Sequence, residues 1–343
     1  MHSPSAPYPP AINHEDDIRF MNRALQLARG GLGNVSPNPM VGAVIVNQEK
    51  KIIGEGYHRR FGEAHAEVNA VKAIKEADKS LIRQSTIYVT LEPCAHFGKT
   101  PPCAQLLVQE GFKRVVIGTK DPFDKVSGRG IDILREAGIH VSVGVLEDEC
   151  QSLNARFFTA HKLHRPFITL KWAQSNDRGM DCKRASNEGA MKFSTFLGTT
   201  LVHRLRANHD AIGVGSGTVI ADSPRLDVRH WHGNNPQRVV FDRRGRVGTS
   251  SGEIEDVLKS LYDSGITSIL VEGGSTLIRS FIDKGLWDLA RVEVAPFGLG
   301  SQCAVLAPTL PNTPFATRKI ETHDIYYYSN NPLVNKYFID NGL

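Results

Sequence analysis

The sequence contains no apolar run as long as a membrane span, and its N-terminus lacks the features of a secretion signal. The opening residues Met1-His2-Ser3-Pro4 have neither a basic flank nor an apolar centre, and the first dozen residues are rich in proline. We therefore predict a flexible arm over residues 1–12, no signal peptide and no membrane partner.

Cysteine is scarce in this chain. Its 343 residues include five cysteines, which are Cys94, Cys103, Cys150, Cys182 and Cys303. The last three are too scattered to form a disulfide framework, and the absence of such a framework is typical of a reducing compartment. We therefore predict a cytoplasmic protein.

The chain also lacks the concentrated basic stripe of a nucleic-acid-binding face. Its net charge of +5 is spread along the sequence, so we predict no nucleic-acid partner. A phosphorylated small molecule needs only a few local cations, and this charge allows one. The hydrophobic content of 41% and the charged content of 22% are typical of globular proteins, and the length favours two domains.

What the sequence does contain is a set of metal-binding residue types in a recognisable order. His65-Ala66-Glu67 is followed by Glu92-Pro93-Cys94 and then by Cys103. One imidazole and two thiolates suit Zn²⁺, and three protein ligands leave the fourth position for water, as in catalytic zinc sites. Glu67 could reach that water without being a ligand. This order is typical of zinc deaminases, in which the metal activates water and the glutamate transfers protons.

The spacing of the two cysteines distinguishes this chain from generic zinc deaminases, which carry C-x-x-C. Eight residues separate Cys94 from Cys103 here. This longer spacing resembles that of the pyrimidine deaminases of riboflavin biosynthesis. The resemblance implies a cytidine-deaminase-like fold and a substrate pocket lined by four further residues, Asn38, His58, Lys99 and Thr100.

Alternating strands and helices support an α/β/α sandwich for the first domain, which we place at residues 13–147. The apolar runs at 41–46, 86–91 and 115–118 read as strands, and His65 and Glu67 lie in the first turn of a helix that opens at Ala64. Pro102 and Cys103 open another helix, because proline suits a first helical position. We predict a connector helix over 148–165.

After Arg165-Pro166 the strand–helix pattern begins again, which predicts a second α/β domain at 166–343. The segments Leu170–Ser175, Gly217–Pro224 and Glu272-Gly273-Gly274 resemble, in this order, the reductase of the same pathway. That domain resembles dihydrofolate reductase and uses NADPH. Glu272-Gly273-Gly274 also ends a strand before a helix, where exposed N–H groups can hold a phosphate.

The resemblance assigns roles to individual residues of the second domain. It implies that Lys171 and Asp222 lie near the chemistry. It implies that Arg206 and Arg229 clamp a phosphate with paired hydrogen bonds, and that Leu226 and Glu272 also bind substrate. The cofactor-binding residues that it implies are Gln174, Thr218, Asp222, Gly273, Gly274, Ser275 and Thr276.

Taken over nearly the whole chain, the order of domains resembles the bifunctional bacterial riboflavin-pathway enzymes. The resemblance implies zinc-dependent deamination of 2,5-diamino-6-ribosylamino-4(3H)-pyrimidinone 5′-phosphate, followed by NADPH-dependent reduction of its ribosyl group to ribityl. Two segments depart from the family pattern. Arg178 stands where the family has glycine, and residues 190–194 lack its tryptophan.

Three alternatives stay open, and so does a homo-oligomeric state. The departures at Arg178 and 190–194 would suit a deaminase whose reductase-like domain has degenerated. A nucleic-acid deaminase would instead predict C-x-x-C spacing and a basic face. A zinc-stabilised interaction protein would leave Glu67 without a role, and it would unfold on losing its metal.

Overall fold

The structure is a computed structural model that describes residues 14–95, 101–123, 127–183, 189–247 and 252–341. The chain divides into two compact units. The first comprises the described residues up to Gly31 together with Met40–Cys150, and the second comprises Leu32–Pro39 and the residues from Gln151 onward. The segment 32–39 thus belongs to the second unit, although the sequence placed it in the first domain. The predicted arm at 1–12 lies outside the described residues.

The first unit is built on a five-stranded sheet in the order β2-β1-β3-β4-β5. Strand β1 pairs antiparallel with both of its neighbours, whereas β3, β4 and β5 run parallel. The strands are β1 (Gly42–Val46), β2 (Ile52–Tyr57), β3 (Thr86–Leu91), β4 (Arg114–Thr119) and β5 (His140–Val143).

Helices cover both faces of this sheet, so the predicted α/β/α sandwich is confirmed. One face packs against α2, α3 and α4 through a core that includes Ile45, Ile87, Leu107 and Ile131. The other face packs against α1, and Gly42 of β1 lies so close to this helix that a Cβ would come 2.0 Å from the Ala24 carbonyl oxygen. The helices are α1 (His14–Ala28), α2 (Ala66–Lys72), α3 (Cys103–Glu110), α4 (Arg129–Glu136) and α5 (Glu147–Leu153), with 3₁₀ turns at Arg29–Gly31 and Glu76–Gln84.

A buried ion pair ties α1 to the sheet. Arg114 of β4 donates two hydrogen bonds of 2.8 Å to the two oxygens of Asp17, and the Tyr88 hydroxyl donates a third at 2.9 Å. The bidentate geometry satisfies both charges out of water.

The second unit contains a seven-stranded sheet in the order β13-β14-β11-β6-β10-β8-β9. The five strands from β11 to β9 are parallel, and β14 and β13 extend the sheet in antiparallel pairing. A separate two-stranded ribbon pairs β7 with β12. The strands are β6 (Phe167–Gln174), β7 (Gly179–Cys182), β8 (Ala211–Gly215), β9 (Gln237–Phe241), β10 (Ser268–Glu272), β11 (Leu289–Val294), β12 (Cys303–Leu306), β13 (Ala316–Ile320) and β14 (His323–Ser329).

The predicted second α/β domain is confirmed, and its helices correct one expectation. In place of one connector helix over 148–165, the chain forms α5 and α6, which are separated at Asn154. The largest core cluster of the unit includes Trp172, Phe241, Phe281 and Trp287. The helices are α6 (Ala155–Leu163), α7 (Phe196–Ala207), α8 (Ser216–Asp222), α9 (Ile254–Asp263), α10 (Ser275–Asp283) and α11 (Lys336–Asn341), with a 3₁₀ turn at Gly300–Gln302.

The parallel strands bring the predicted reductase residues to one edge of the sheet. Lys171 near the end of β6 is paired in register with Glu272 at the end of β10, and β8 ends at Gly215 beside them. Ligands of open α/β sheets bind at this carboxyl edge.

Candidate functional site

Two helix starts and one strand end position the three candidate metal ligands of the first unit. His65 is the residue that precedes α2, Cys103 is the first residue of α3, and Cys94 follows β3. The helix of His65 begins at Ala66, two residues later than predicted, and the helix predicted to open at Pro102 begins at Cys103, with Pro102 as its N-cap residue. The main-chain N–H of Cys103 donates to Cys94 Sγ at 3.3 Å, which holds the two cysteines together.

The spacing of the donor atoms fits a zinc ion. His65 Nδ1 lies 3.3 Å from Cys103 Sγ and 3.6 Å from Cys94 Sγ, and the three donor atoms lie within 4.8 Å of one another. With Zn–N and Zn–S bonds of about 2.0 and 2.3 Å, neighbouring ligand atoms of a tetrahedral site are about 3.6 Å apart. The donor set therefore suits zinc in both chemistry and spacing.

The two thiols differ in acidity. Hydrogen bonds from Cys103 and His65 lower the pKa of Cys94 to about 4, so Cys94 is a thiolate at neutral pH. The same hydrogen bond with Cys94, together with burial, raises the pKa of Cys103. A divalent cation bound by both residues would favour the thiolate form of each.

Glu67 lies in the first turn of α2 and is only 3% exposed. Burial and the nearby negative charge of Cys94 raise the pKa of Glu67 to about 7. A carboxyl group with a pKa near neutrality can both accept and release a proton at physiological pH.

His58 and Asn69 support the His65 side of the site. The ring of His58 packs edge-on against the ring of His65, with centroids 5.5 Å apart, and burial lowers the pKa of His58. The amide of Asn69 donates to the carbonyls of Tyr57 and Ala64, which fixes the loop before His65. His58 thus lies beside the metal ligands as predicted. Its contact is with His65, and its part in substrate binding stays a prediction.

Glu92 supports the Cys94 side, in a role that the sequence analysis missed. Its buried carboxylate accepts main-chain N–H groups from Asp121, Gly128 and Gly130 at 3.0–3.2 Å. It thereby fastens the loop before α4 to the end of β3, two residues before Cys94. The available signal was an acidic residue directly after a strand that carries no charge.

Three further residues were predicted to line this pocket, Asn38, Lys99 and Thr100. Lys99 and Thr100 lie outside the described residues. Asn38 belongs to the segment 32–39 of the second unit, where its N–H donates to the Val35 carbonyl. Their roles stay predictions.

In the second unit, Lys171 is surrounded by charges from neighbouring strands. Glu272 of β10 and Arg291 of β11 are its partners in register, so all three side chains share one face of the sheet. Glu293 is on the same face because it lies two residues after Arg291. Burial lowers the pKa of Lys171, and the charges of Glu272 and Glu293 oppose that shift.

Sequence reasoning missed Arg291 and Glu293, although their strand offered a signal. The strand alternates charged with apolar residues at a place where a buried strand is otherwise apolar. The Arg291 and Glu293 side chains are 5% and 1% exposed, and Arg291 Nη1 lies 3.4 Å from Glu293 Oε2. Among the residues that the structure describes, Arg291 Nη2 and Glu293 Oε1 find no hydrogen-bond partner.

Arg206 forms a paired interaction within the protein. Its Nε and Nη2 each donate to a Glu272 oxygen at 2.8 Å, and its Nη1 donates to the Asp227 carbonyl at 3.1 Å. The guanidinium group that the sequence assigned to a phosphate is thus bonded to Glu272 in the folded chain, and its part in phosphate binding stays a prediction. Burial acts to raise the pKa of Glu272, but the Arg206 bonds outweigh it and the pKa is lowered.

The other predicted substrate residues flank this pair. Arg229 is exposed and donates to the Asp227 carboxylate. The side chain of Leu226 is buried in a core cluster with Leu205, so a substrate would meet its main chain. Leu226 also has a φ of +53°, which turns the chain between α8 and Arg229.

Five of the seven predicted cofactor residues lie where α8 and α10 begin. Gly274 N donates to Thr218 Oγ1 at 3.3 Å, and no side chain caps either helix start. Arg246, which the sequence analysis did not single out, donates to Ser216 Oγ at 2.6 Å and adds a cation here. Gly273, Gly274 and Ser275 are at the start of α10, Thr276 follows on its exposed side, Gln174 ends β6 and Asp222 ends α8.

Arg178 has a backbone conformation that favours glycine. Its φ is +68°, and Nη2 donates to the Ala307 carbonyl at 3.0 Å and to Thr309 Oγ1 at 2.8 Å. The neighbouring Asp177 accepts from Ser175 and from the N–H groups of Leu299 and Gly300, and these bonds lower its pKa to about 2.

The segment without the family tryptophan instead contributes Phe193. This ring is buried and stacks on Phe297, with centroids 6.0 Å apart.

Comparison with known families agrees with this geometry. Residues 14–119 match the family model described as the cytidine and deoxycytidylate deaminase zinc-binding region, and residues 166–325 match that of the RibD C-terminal domain. The fold and the two sites thus define a protein that joins a zinc-binding deaminase-type domain to a RibD-type reductase domain.

Full-length relatives identify the family. The riboflavin biosynthesis protein RibD of Aquifex aeolicus is 38% identical over 85% of this chain and 90% of its own length, and that of Escherichia coli is 36% identical over 86% and 91%. The solved structure of Acinetobacter baumannii RibD (form 1) is 31% identical, with a TM-score of 0.83 over 92% of this chain and 99% of its own. The chain belongs to the RibD family, as the sequence resemblance implied.

A further solved structure carries a more explicit description. The protein from Thermotoga maritima is described as a diaminohydroxyphosphoribosylaminopyrimidine deaminase/5-amino-6-(5-phosphoribosylamino)uracil reductase. It is 34% identical to this chain, with a TM-score of 0.81, and the match covers 92% of this chain and 99% of that one.

Within the part of the chain that the structure describes, no helix combines the length and the apolar character that a membrane crossing requires.

Proposed function

We propose that this chain catalyses two steps of riboflavin biosynthesis. Its first unit deaminates 2,5-diamino-6-ribosylamino-4(3H)-pyrimidinone 5′-phosphate, and its second unit reduces the ribosyl group of the product to ribityl with NADPH. The observation that carries this proposal is the group of His65, Cys94 and Cys103 donor atoms within 4.8 Å, beside the buried Glu67.

In the first unit, His65, Cys94 and Cys103 would hold Zn²⁺. When bound, the metal supplies a Lewis acid that lowers the pKa of water toward ~7. Glu67 would take a proton from the attacking water and deliver it to the departing ammonia. The pKa of about 7 for this carboxyl group supports both transfers, since neither the acid nor the base form is strongly favoured at neutral pH.

In the second unit, the starts of α8 and α10 would bind the phosphates of NADPH through their exposed N–H groups, with Arg246 adding positive charge. Hydride from NADPH would reach ribose C1′, and the ring oxygen that leaves C1′ needs one proton. Lys171 is the proton donor that we propose, because its lowered pKa weakens its hold on that proton.

Arg206 and Glu272 would act as one unit at this site. Their paired hydrogen bonds fix the Glu272 carboxylate next to Lys171. Arg229, which is exposed, is the cation that we propose for the substrate phosphate. We further propose a cytoplasmic enzyme that acts on a small phosphorylated pyrimidine, without nucleic acid.

The decisive experiment scores ammonia release and NADPH oxidation separately, with each half given its own substrate. We expect both signals from the zinc-loaded chain. Glu67→Gln should abolish ammonia release and leave NADPH oxidation on the deaminated intermediate unchanged, because Glu67 belongs to the first site alone. Glu63→Gln is the matched control, since Glu63 is exposed in the loop before His65.

Two results would contradict the proposal. Ammonia release without NADPH oxidation, even on added deaminated intermediate, would favour a deaminase with a degenerate reductase-like domain. Unfolding of the first unit on chelation would favour a zinc-stabilised structural protein. A catalytic zinc should leave a folded, inactive unit, because the core of this unit does not depend on the metal ligands.

A further inference from the structure

Two cysteines face each other across the ribbon of β7 and β12. Cys303 is the register partner of Cys182, and Lys183 N donates to the Gln302 carbonyl at 2.8 Å. In antiparallel pairing, a hydrogen bond between the next residues on either side marks Cys182 and Cys303 as a non-hydrogen-bonded pair. This is the type of pair whose side chains lie closest together.

The expected separation of such a pair suits a disulfide bond. Cα atoms of a non-hydrogen-bonded pair are about 4.5 Å apart, and disulfides span Cα separations of roughly 4.4–6.8 Å. Both side chains share one face of the ribbon, since both pack against the cluster of Phe193, Ala295 and Leu299. The ladder shifts register directly after Cys303, and the Cys303 thiol donates to the Val305 carbonyl at 3.5 Å. Joining the two sulfur atoms therefore requires this side chain to leave that carbonyl and rotate toward Cys182.

Both thiols can be reached from solvent. Cys182 and Cys303 are free and partly exposed, and the residues that follow Cys303 on β12 are exposed. Cys150, in contrast, is wholly buried against Gly118, and Cys94 and Cys103 belong to the metal site. Oxidation of the zinc-loaded chain should therefore concentrate on one pair.

The ribbon is tied to the start of α10, in the proposed cofactor site, and to the turn after β6. Ser275 Oγ, at the start of α10, donates to the Leu306 carbonyl at 2.7 Å. Ala307 N donates to the Arg178 carbonyl at 2.8 Å, and the Arg178 side chain holds the same segment. A covalent link across the ribbon would thus restrain a segment that contacts the start of α10.

We propose that Cys182 and Cys303 form a reversible intramolecular disulfide in response to a small-molecule disulfide oxidant such as oxidised glutathione. One protein thiolate attacks the oxidant, forming a mixed disulfide and releasing one glutathione thiolate. The second protein thiolate then attacks the protein sulfur of that mixed disulfide and releases the second glutathione. Two electrons pass to the oxidant, and the two protein protons end on the two glutathione thiols.

The test treats the full zinc-loaded chain with oxidised glutathione and maps the peptides by mass spectrometry without reduction. We expect one cross-linked peptide pair that joins Cys182 to Cys303, lighter by two hydrogens than the separate peptides and restored by dithiothreitol. Separate glutathione adducts on the two residues, a covalent dimer, or no reaction at these residues would each overturn the proposal.

Two single variants provide the matched controls. Cys182→Ser and Cys303→Ser should each accumulate a mixed disulfide on the remaining cysteine, because the second exchange step has lost its nucleophile. In the unsubstituted chain, oxidation should raise the thermal midpoint of the second unit by about 5–10 °C, since the bond closes a long loop of the unfolded chain. An equal rise in either variant would refute the assignment to this pair.

Discussion

Arg178 shows how one residue can depart from a family pattern without disturbing the backbone. A φ of +68° suits glycine and costs other residues about 1 kcal/mol. Two side-chain hydrogen bonds, to the Ala307 carbonyl and to Thr309 Oγ1, offset that cost in this chain. The turn after β6 therefore keeps its shape.

The first prediction concerns this residue. Arg178→Gly should change the free energy of unfolding by no more than about 1 kcal/mol, because it removes both the strain and the two bonds. NADPH oxidation should stay within about threefold of the parent rate. Urea titration and the reductase assay test these expectations. Arg178→Met keeps the backbone strain and loses both hydrogen bonds, so it should be less stable than both the parent chain and Arg178→Gly. A large gain in NADPH oxidation in Arg178→Gly would show instead that the arginine obstructs the cofactor.

Glu293 is a second residue whose effect can be measured directly. Its negative charge opposes the lowering of the Lys171 pKa. Glu293→Gln should therefore lower that pKa further, and the alkaline limb of the rate of NADPH oxidation should move to lower pH. The deaminated intermediate is the substrate for this pH profile, and Glu253→Gln, at an exposed position, is the control. If the alkaline limb of the pH profile does not move, the pKa of Lys171 does not determine that limb.

At the scale of elements, the candidate metal site lies where one strand ends and two helices begin. The ligands come from the end of β3 and from the starts of α2 and α3. Glu92 fixes one of these junctions by accepting three main-chain N–H groups, and the close contact of Gly130 with the Pro93 carbonyl leaves no room for a Cβ. The position of Cys94 therefore depends on the loop that precedes α4.

The third prediction tests this junction. Glu92→Gln places an amide NH₂ against a main-chain donor, so at least one N–H loses its acceptor. The first unit should lose about 1–3 kcal/mol of stability, and its zinc affinity should fall. Urea unfolding and competition with a chromogenic chelator measure the two effects. Glu76→Gln, at an exposed position, should leave both unchanged. Full zinc affinity in Glu92→Gln would show that Cys94 is positioned without this clamp.

At the scale of the whole molecule, buried neutral histidines link stability to pH. Burial lowers the pKa of His58, His161, His203 and His209 in the folded chain, to about 4 for His203. Unfolding restores values near 6.5, so below that pH the unfolded chain binds more protons. These groups therefore remove stability as pH falls from about 6.5 toward 4, and they have no effect above that range.

The fourth prediction concerns the loss of stability as pH falls. These histidines should make the free energy of unfolding decrease as pH falls from about 6.5 to 5, by up to about 1.4 kcal/mol per pH unit for each of them, whereas Glu67, whose pKa is raised to about 7 in the folded chain, acts in the opposite direction. Urea titrations with a chelator present throughout separate this effect from zinc loss. His203→Gln should make the free energy of unfolding depend less steeply on pH, whereas His232→Gln, at an exposed position, should not. If the pH dependence of stability is the same in His203→Gln as in the parent chain, His203 does not contribute to it.

Much of this protein was predictable from local sequence. The candidate metal ligands could be named from the sequence because ligand chemistry depends on residue type, and because Pro102 and the helical period around His65 indicate helix starts. Strand runs such as Val41–Val46 predicted the first sheet, since apolar runs of that length are buried. The order of the motifs along the chain also implied the family, which the relatives confirm.

Tertiary structure alone decided which distant residues meet. Arg206 and Glu272 each looked suited to substrate, and only their positions on α7 and β10 show that they bind each other. Cys182 and Cys303 looked scattered, yet the register of β7 and β12 sets them side by side. Register and topology depend on contacts between residues far apart in sequence, so no local pattern records them. Residue types therefore determined the chemistry, and sheet pairing determined the partners.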